Sequence, residues 1–197
     1  MLHQTRVEDV NPEKIQLLLN NNYSKLLSIF YEMESSFLCE RYKIHNNIES
    51  AYIVMSFIKD AHLSILRERI KNLDHNVSLN NFFYNQSNIE MPKQKIISIV
   101  KTTGIPKETV RRKVKQLIQN KYIYSTTDKE YFWKLSANNK DAFVKLMNKD
   151  IQAMSKFIRA ITDCLNINLS QKIIENEIKK QFSLYFYHFL SCQIRWF

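Results

Sequence analysis

A single glycine, Gly104, occurs in the 197 residues of this chain. Glycine takes left-handed backbone conformations without steric cost, and folds built on glycine-rich phosphate loops or many tight turns need it at fixed places. The near absence of glycine therefore argues against collagen-like, Rossmann, P-loop and turn-rich all-β folds. The chain is 45% hydrophobic, which is enough for the core of a globular protein. With the glycine-dependent folds excluded, we expect a mainly helical one.

Apolar residues recur at helical spacing in the part of the chain before the glycine. Asn11 followed by Pro12 is typical of a helix N-cap and first helical position. The predicted helices cover about 12–19, 23–42 and 48–72. Residues 73–90 are rich in Asn and predict a connection with the pattern of one helical turn over 79–84.

The helical pattern returns after residue 140 and continues to Leu165. A last helix is predicted over about 170–195, with Ser170 as its cap. Its second half is apolar nearly all round, which indicates burial in a core or a dimer interface. The aromatic side chains of this second half could also line a small-molecule pocket, although packing in a core or a dimer interface is the favoured interpretation.

The glycine itself lies between two helical segments. Pro92 fits the first position of a helix over about 92–102, and Pro106 fits the first position of a second helix over 106–120. Gly104 supplies the positive φ that a short turn between two helices commonly needs. The second helix presents a buried stripe formed by Val110, Val114 and Leu117. This spacing predicts a helix-turn-helix.

Two short runs of aromatic and β-branched residues follow the helix-turn-helix. They cover 122–125 and 131–135, and polar residues 126–130 lie between them. Such runs favour strands joined by a small turn. They predict a two-stranded β-wing, with a plain loop as the alternative.

Positive charge is concentrated in the same part of the chain. The net charge is +10, and residues 91–121 contain nine Lys and Arg residues against one acidic residue, Glu108. The segment therefore carries most of the excess charge, which favours a polyanionic partner. A solvated basic face is the alternative explanation.

The second helix of a helix-turn-helix enters the major groove of DNA. With Val110 as the buried direction, Glu108, Arg112, Lys115 and Gln119 lie opposite the core, and Lys107, Thr109, Arg111 and Lys113 flank them. Glu108 could accept from a cytosine amino group, Arg112 could contact guanine, and Thr109 could contact a phosphate or a thymine methyl group. Residues expected near the DNA backbone are Lys93, Lys95, Lys101, Lys115 and Lys129.

Residues 103–117, TGIPKETVRRKVKQL, resemble the winged helix-turn-helix of bacterial transcription regulators. They are similar to the reader helix of the cAMP-receptor type, although Lys107 stands where that pattern has Arg and Pro106 where it has Ser. The resemblance implies that Lys107, Glu108 and Arg112 reach bases. The order of helices, winged reader and two long helices is similar to MarR regulators, which implies dimerisation through the terminal helices.

These observations predict a mainly α fold with a central winged helix-turn-helix and a two-stranded β-wing. The predicted segments are 1–75 for N-terminal helices, 76–136 for the DNA-binding domain and 137–197 for C-terminal helices. The predicted function is a homodimeric, sequence-specific regulator of transcription that binds double-stranded DNA with helix 106–120. The alternative is a winged module that binds a protein or RNA without sequence-specific DNA readout.

Other classes of function find little support in the sequence. It contains no Walker, GxSxG or HExxH pattern and no CxxC pair, so we expect neither an enzyme nor a cofactor or metal site. No apolar run is long enough for a membrane span or has the form of a signal peptide, so we expect a cytoplasmic protein. The sequence leaves open whether the protein binds a small-molecule effector.

Overall fold

The computed structural model describes residues 11–84 and 91–195. Within these ranges the fold is mainly helical, as predicted, with one small antiparallel sheet. Residues 85–90 of the predicted connection, and Trp196 and Phe197, lie outside the described residues. The elements are α1 Pro12–Asn21, α2 Tyr23–His45, α3 Ile48–Lys71, α4 Leu79–Tyr84, α5 Ile96–Thr103, α6 Lys107–Gln119, β1 Ile123–Ser125, β2 Tyr131–Trp133, α7 Ala137–Cys164, α8 Gln171–Lys180 and α9 Phe182–Arg195.

Both predicted side-chain caps are confirmed. The Lys14 N–H donates to Asn11 Oδ1 at 2.9 Å at the start of α1. The Ile173 N–H donates to Ser170 Oγ at 3.3 Å at the start of α8. Each side-chain oxygen satisfies one of the N–H groups that the first turn of a helix leaves without a partner.

The prediction of one continuous helix over 170–195 is wrong, because the helix is interrupted at Gln181, between α8 and α9. The backbone N–H of Ser183 donates to the carbonyl of Val77 at 3.0 Å instead of continuing the helical ladder. The apolar second half nevertheless packs in the core, where Phe182 and Phe186 are fully buried.

The prediction that a helix starts at Pro92 is also wrong, since α5 begins at Ile96. Gln94 is extended and exchanges two backbone hydrogen bonds of 2.8 Å with Tyr131 of β2. A helix cannot include a residue that pairs in this way with a strand. The second helix begins at Lys107, with Pro106 at the N-cap, one position earlier than expected for this proline.

Helix α3 is the centre of the core. Its residues from Ser50 to Ile58 are all buried, which is typical of a helix covered on every side. It packs against α2 and α9 and also against α5 and α6. One hydrophobic cluster includes residues from each of the three predicted segments, for example Ile53, Val110 and Phe186.

A buried ion pair joins α2 to α7. The Arg41 guanidinium donates to both carboxylate oxygens of Asp150, at 3.1 and 2.6 Å. Both side chains are 3% exposed, and the guanidinium lies 3.3 Å from the centre of the Phe37 ring. Burial raises the pKa of Asp150, and the positive charge of Arg41 opposes that shift.

In the described ranges, no helix is both long enough and apolar enough to cross a membrane.

Candidate nucleic-acid interface

Gly104 ends α5 in the way that the sequence predicts. Its φ is 70°, and its N–H donates to the Val100 carbonyl at 2.9 Å. The Thr103 hydroxyl donates to the Ile99 carbonyl at 2.7 Å and accepts from the N–H of Ile105 at 3.3 Å. These bonds fix the turn, and the buried residues of α6 then pack against Ile99.

The predicted strands pair as an antiparallel hairpin, although each covers three residues only. Ile123 lies opposite Trp133, and both are buried against the core. Tyr124 and Phe132 lie opposite each other on the other face, with ring centres 5.7 Å apart. Lys129, with φ 56°, turns the chain at the tip.

Helix α6 has sides with different roles. Successive residues of an α-helix are about 100° apart around its axis. Val110, Val114 and Leu117 face the core, and they are 0 to 2% exposed. On the side opposite the core, Glu108, Arg112 and Gln119 are exposed, in agreement with the sequence prediction.

A groove of about 940 Å³ lies between α5, α6 and the hairpin, and we call it the hairpin groove. Its floor includes the apolar side chains of Val114 and Ile118. Asp128 is the carboxylate in its lining. Four of the predicted DNA contacts line it together: Lys95, Arg111, Lys115 and Lys129.

The other predicted contacts are distributed differently. Lys101 is exposed on α5 and Lys107 on the first turn of α6, whereas Thr109 is half-buried. None of the three lines the hairpin groove. The two lysines extend the basic surface beyond the groove, on either side of the turn at Gly104.

The structure does not place Lys113 beside the outer face. Its residue is 9% exposed, and its ammonium lies 3.8 Å from a carboxylate oxygen of Glu49 on α3. Lys113 is only about 60° from Val110 around the helix axis. The same rotation applied to the sequence could have placed it on the core side.

Sequence reasoning also missed an ion pair on α6. Arg111 Nη1 donates to Glu108 Oε1 at 2.7 Å, and the side chains are 54% and 78% exposed. Residues three apart on a helix are neighbours, so the spacing was the available signal. The next residue, Arg112, forms no ion pair or side-chain hydrogen bond with residues 11–84 or 91–195.

The side of α6 that faces away from the hairpin groove is close to neutral. A second groove there is lined by amide side chains, including Asn47, Gln116 and Asn120, and by the paired Lys113. His45 lines it too, and burial, with a smaller effect of Arg41, lowers its pKa to about 4. Its ring is therefore uncharged at neutral pH. The excess of positive charge is on the hairpin side and the outer side of α6.

In the described part of the chain, no group of three or more His, Cys, Asp or Glu residues could hold a metal ion.

Comparisons with known protein families, with curated proteins and with solved structures find no match to this chain. A functional assignment therefore depends on the residues of the interface.

Proposed function

We propose that this chain is a sequence-specific, double-stranded DNA-binding regulator of transcription. In this proposal α5 and α6 are a helix-turn-helix, the β1–β2 hairpin is its wing, and α6 docks in the major groove. The resemblance of residues 103–117 to bacterial regulators favours the same assignment. The protein would act in the cytoplasm, without a cofactor and without catalysis.

The observation that carries the proposal is the basic surface of α6 and the hairpin groove. The apolar stripe of α6 is fully buried, so its polar face must be the opposite one. That face and the adjoining groove present Arg111, Arg112, Lys115 and Lys129 to solvent. A cationic helix whose apolar side is packed against a core has the dimensions and charge that the major groove accepts. A-form RNA has a deep and narrow major groove that excludes a helix.

A second copy of the chain is part of the proposal. Two reader helices about one turn of DNA apart match a two-fold symmetric site. Helix α2 offers a surface for dimerisation, because Tyr23, Tyr31 and Tyr42 are 56 to 60% exposed along it. Tyrosine is enriched at protein interfaces.

Selection from a randomised duplex pool at about 150 mM salt tests this function. We expect an enriched, two-fold symmetric sequence. Replacement of Lys107 and Arg112 by Ala should weaken binding to the selected site by about 1–3 kcal/mol for each base that the variant can no longer reach. Replacement of Lys172 and Lys180 by Ala, which removes two exposed charges from α8, is the matched control and should bind as the wild type does. Absence of any enriched sequence would refute sequence-specific readout and favour a protein-binding or RNA-binding module.

A further inference from the structure

Two adjacent arginines of α6 occupy different environments. Arg111 is about 100° from the buried Val110 around the helix axis, whereas Arg112 is about 200° from it. Arg111 therefore lines the hairpin groove, and Arg112 is exposed on the face opposite the core. The two residues carry the same charge on the same turn of the helix, so only their direction and their partners distinguish them.

Glu108 restricts Arg111 and not Arg112. Its Oε1 accepts from Arg111 Nη1 at 2.7 Å. A guanidinium has five N–H donors in a rigid plane, and this bond leaves donors free for the oxygens of a phosphate. Because the pair is exposed, its contribution to folding is small. Its main effect is to limit the orientations of the Arg111 side chain over the groove.

The paired carboxylate is poorly suited to reading a base. To accept from a cytosine amino group, Glu108 would have to give up or share a charge-assisted hydrogen bond with Arg111. An unpaired carboxylate would also repel the phosphates that the surrounding cations attract. The charge of Glu108 is neutralised by Arg111, which itself lines the hairpin groove with Lys95, Lys115 and Lys129.

We propose that Glu108 is a positioning residue, which holds Arg111 over the hairpin groove so that Arg111 binds a phosphate of one DNA strand. Neither residue then reads a base, and sequence readout belongs to the outer face with Arg112. The neutral groove on the other side of α6 offers no comparable cluster of cations. The inference rests on the proposed DNA-binding function and assigns separate roles within its site.

The test combines sequence selection with affinity measurements at several salt concentrations. It uses the full chain with Glu108→Gln, Arg111→Ala and Arg112→Ala, and with the double variant of Glu108 and Arg111. Arg112→Ala is the matched control for Arg111→Ala, since the charge change is identical and one residue away. All three side chains are exposed, and a thermal melt of each variant checks that folding is unaffected.

We expect Arg111→Ala to weaken binding to the selected and random duplexes by the same factor and to lower the salt slope by about 0.9 for each phosphate that is no longer neutralised. Its selected sequence should equal that of the wild type. Arg112→Ala should instead flatten the preference at a base pair. Glu108→Gln should leave the selected sequence unchanged. With Arg111 present it should weaken binding, because the Arg111 side chain is no longer held. With Arg111 replaced by Ala it should instead strengthen binding slightly, because it only removes an unpaired carboxylate near the phosphates.

A neutral methylphosphonate placed at single positions of the selected duplex locates the phosphate that Arg111 binds. One substitution, on one strand of each half-site, should weaken the wild type and leave Arg111→Ala unaffected. The inference is overturned if Glu108→Gln changes the preferred base, if Arg111→Ala does so, or if Glu108→Gln keeps its full effect without Arg111. If the wild type enriches no sequence, the proposed function is what fails.

Discussion

His62 lies wholly inside the core of the protein. Its ring stacks on Phe82, with ring centres 4.4 Å apart, and its Nδ1 lies 3.3 Å from the hydroxyl oxygen of Ser183. Burial lowers its pKa from 6.5 to about 3. His45, which contacts Tyr122, has its pKa lowered to about 4 by burial and by Arg41. Both rings are therefore neutral in the folded protein down to about pH 5.

The sign of the pH effect follows from this difference between the two states. Because the folded-state pKa values are lower, the unfolded chain binds more protons as the pH falls below 6.5. The stability is fully present above pH 6.5 and is lost as the pH falls toward the folded values. From pH 8 to pH 5, protonation of one such histidine in the unfolded chain costs ~2 kcal/mol of folding free energy. The two together cost ~4 kcal/mol, a large share of the 5–15 kcal/mol that is typical of a folded domain.

Urea unfolding at pH 8 and pH 5 measures this destabilisation directly. The variants His62→Phe and His45→Phe should each reduce the difference between the two pH values by ~2 kcal/mol, whatever their own stability at pH 8. His188→Gln is the control, because His188 is exposed. NMR titration of the folded protein should find no protonation of either ring above pH 5. If the double variant kept the pH dependence of the wild type, or if either ring titrated near pH 6.5, the reasoning would be refuted.

Three further predictions concern the buried ion pair, the turn and the groove. Arg41→Met, which leaves the buried carboxyl of Asp150 without its partner, should destabilise the protein by about 3–5 kcal/mol, and a second change, Asp150→Leu, should restore most of that stability in urea unfolding. Gly104→Ala should cost about 1–2 kcal/mol because the φ is 70°, although an added Cβ meets no atom within 4 Å; Gly104→Asn should cost less in a thermal melt. Lys129→Ala should weaken binding to every duplex equally and lower the salt slope by about 0.9.

Features decided by a single residue or by one helix were predictable from the sequence. Gly104 takes a left-handed conformation that is strained for residues with a Cβ, and Asn11 and Ser170 cap helices through side chains that reach only three residues ahead. The Glu108–Arg111 pair belongs to the same class, since it depends only on helical spacing. It was accessible to sequence reasoning and was missed.

Features decided by distant partners were not predictable in this way. Helical periodicity continues through Gln181, but the carbonyl of Val77 takes the N–H of Ser183 and the helix ends. Pro92 has the local pattern of a helix start, but Gln94 pairs with the strand residue Tyr131, so the helix cannot include it. In both cases a tertiary hydrogen bond overrides a local preference.

The hairpin groove is built from the same kind of distant contact. Lys95 precedes α5, and its neighbour Gln94 is tied to β2 by two backbone hydrogen bonds. Arg111 and Lys115 are fixed by the buried stripe of α6, and Lys129 by a hairpin whose Trp133 is in the core. The spacing of the four cations is therefore set by backbone pairing and core packing, and only their orientation depends on flexible side chains.

A change that loosens the hairpin, such as Trp133→Ala, should thus reduce DNA affinity although Trp133 itself is buried and presents no surface to DNA. Duplex binding by a folded Trp133→Ala protein at the wild-type affinity would contradict this account of how the groove is held.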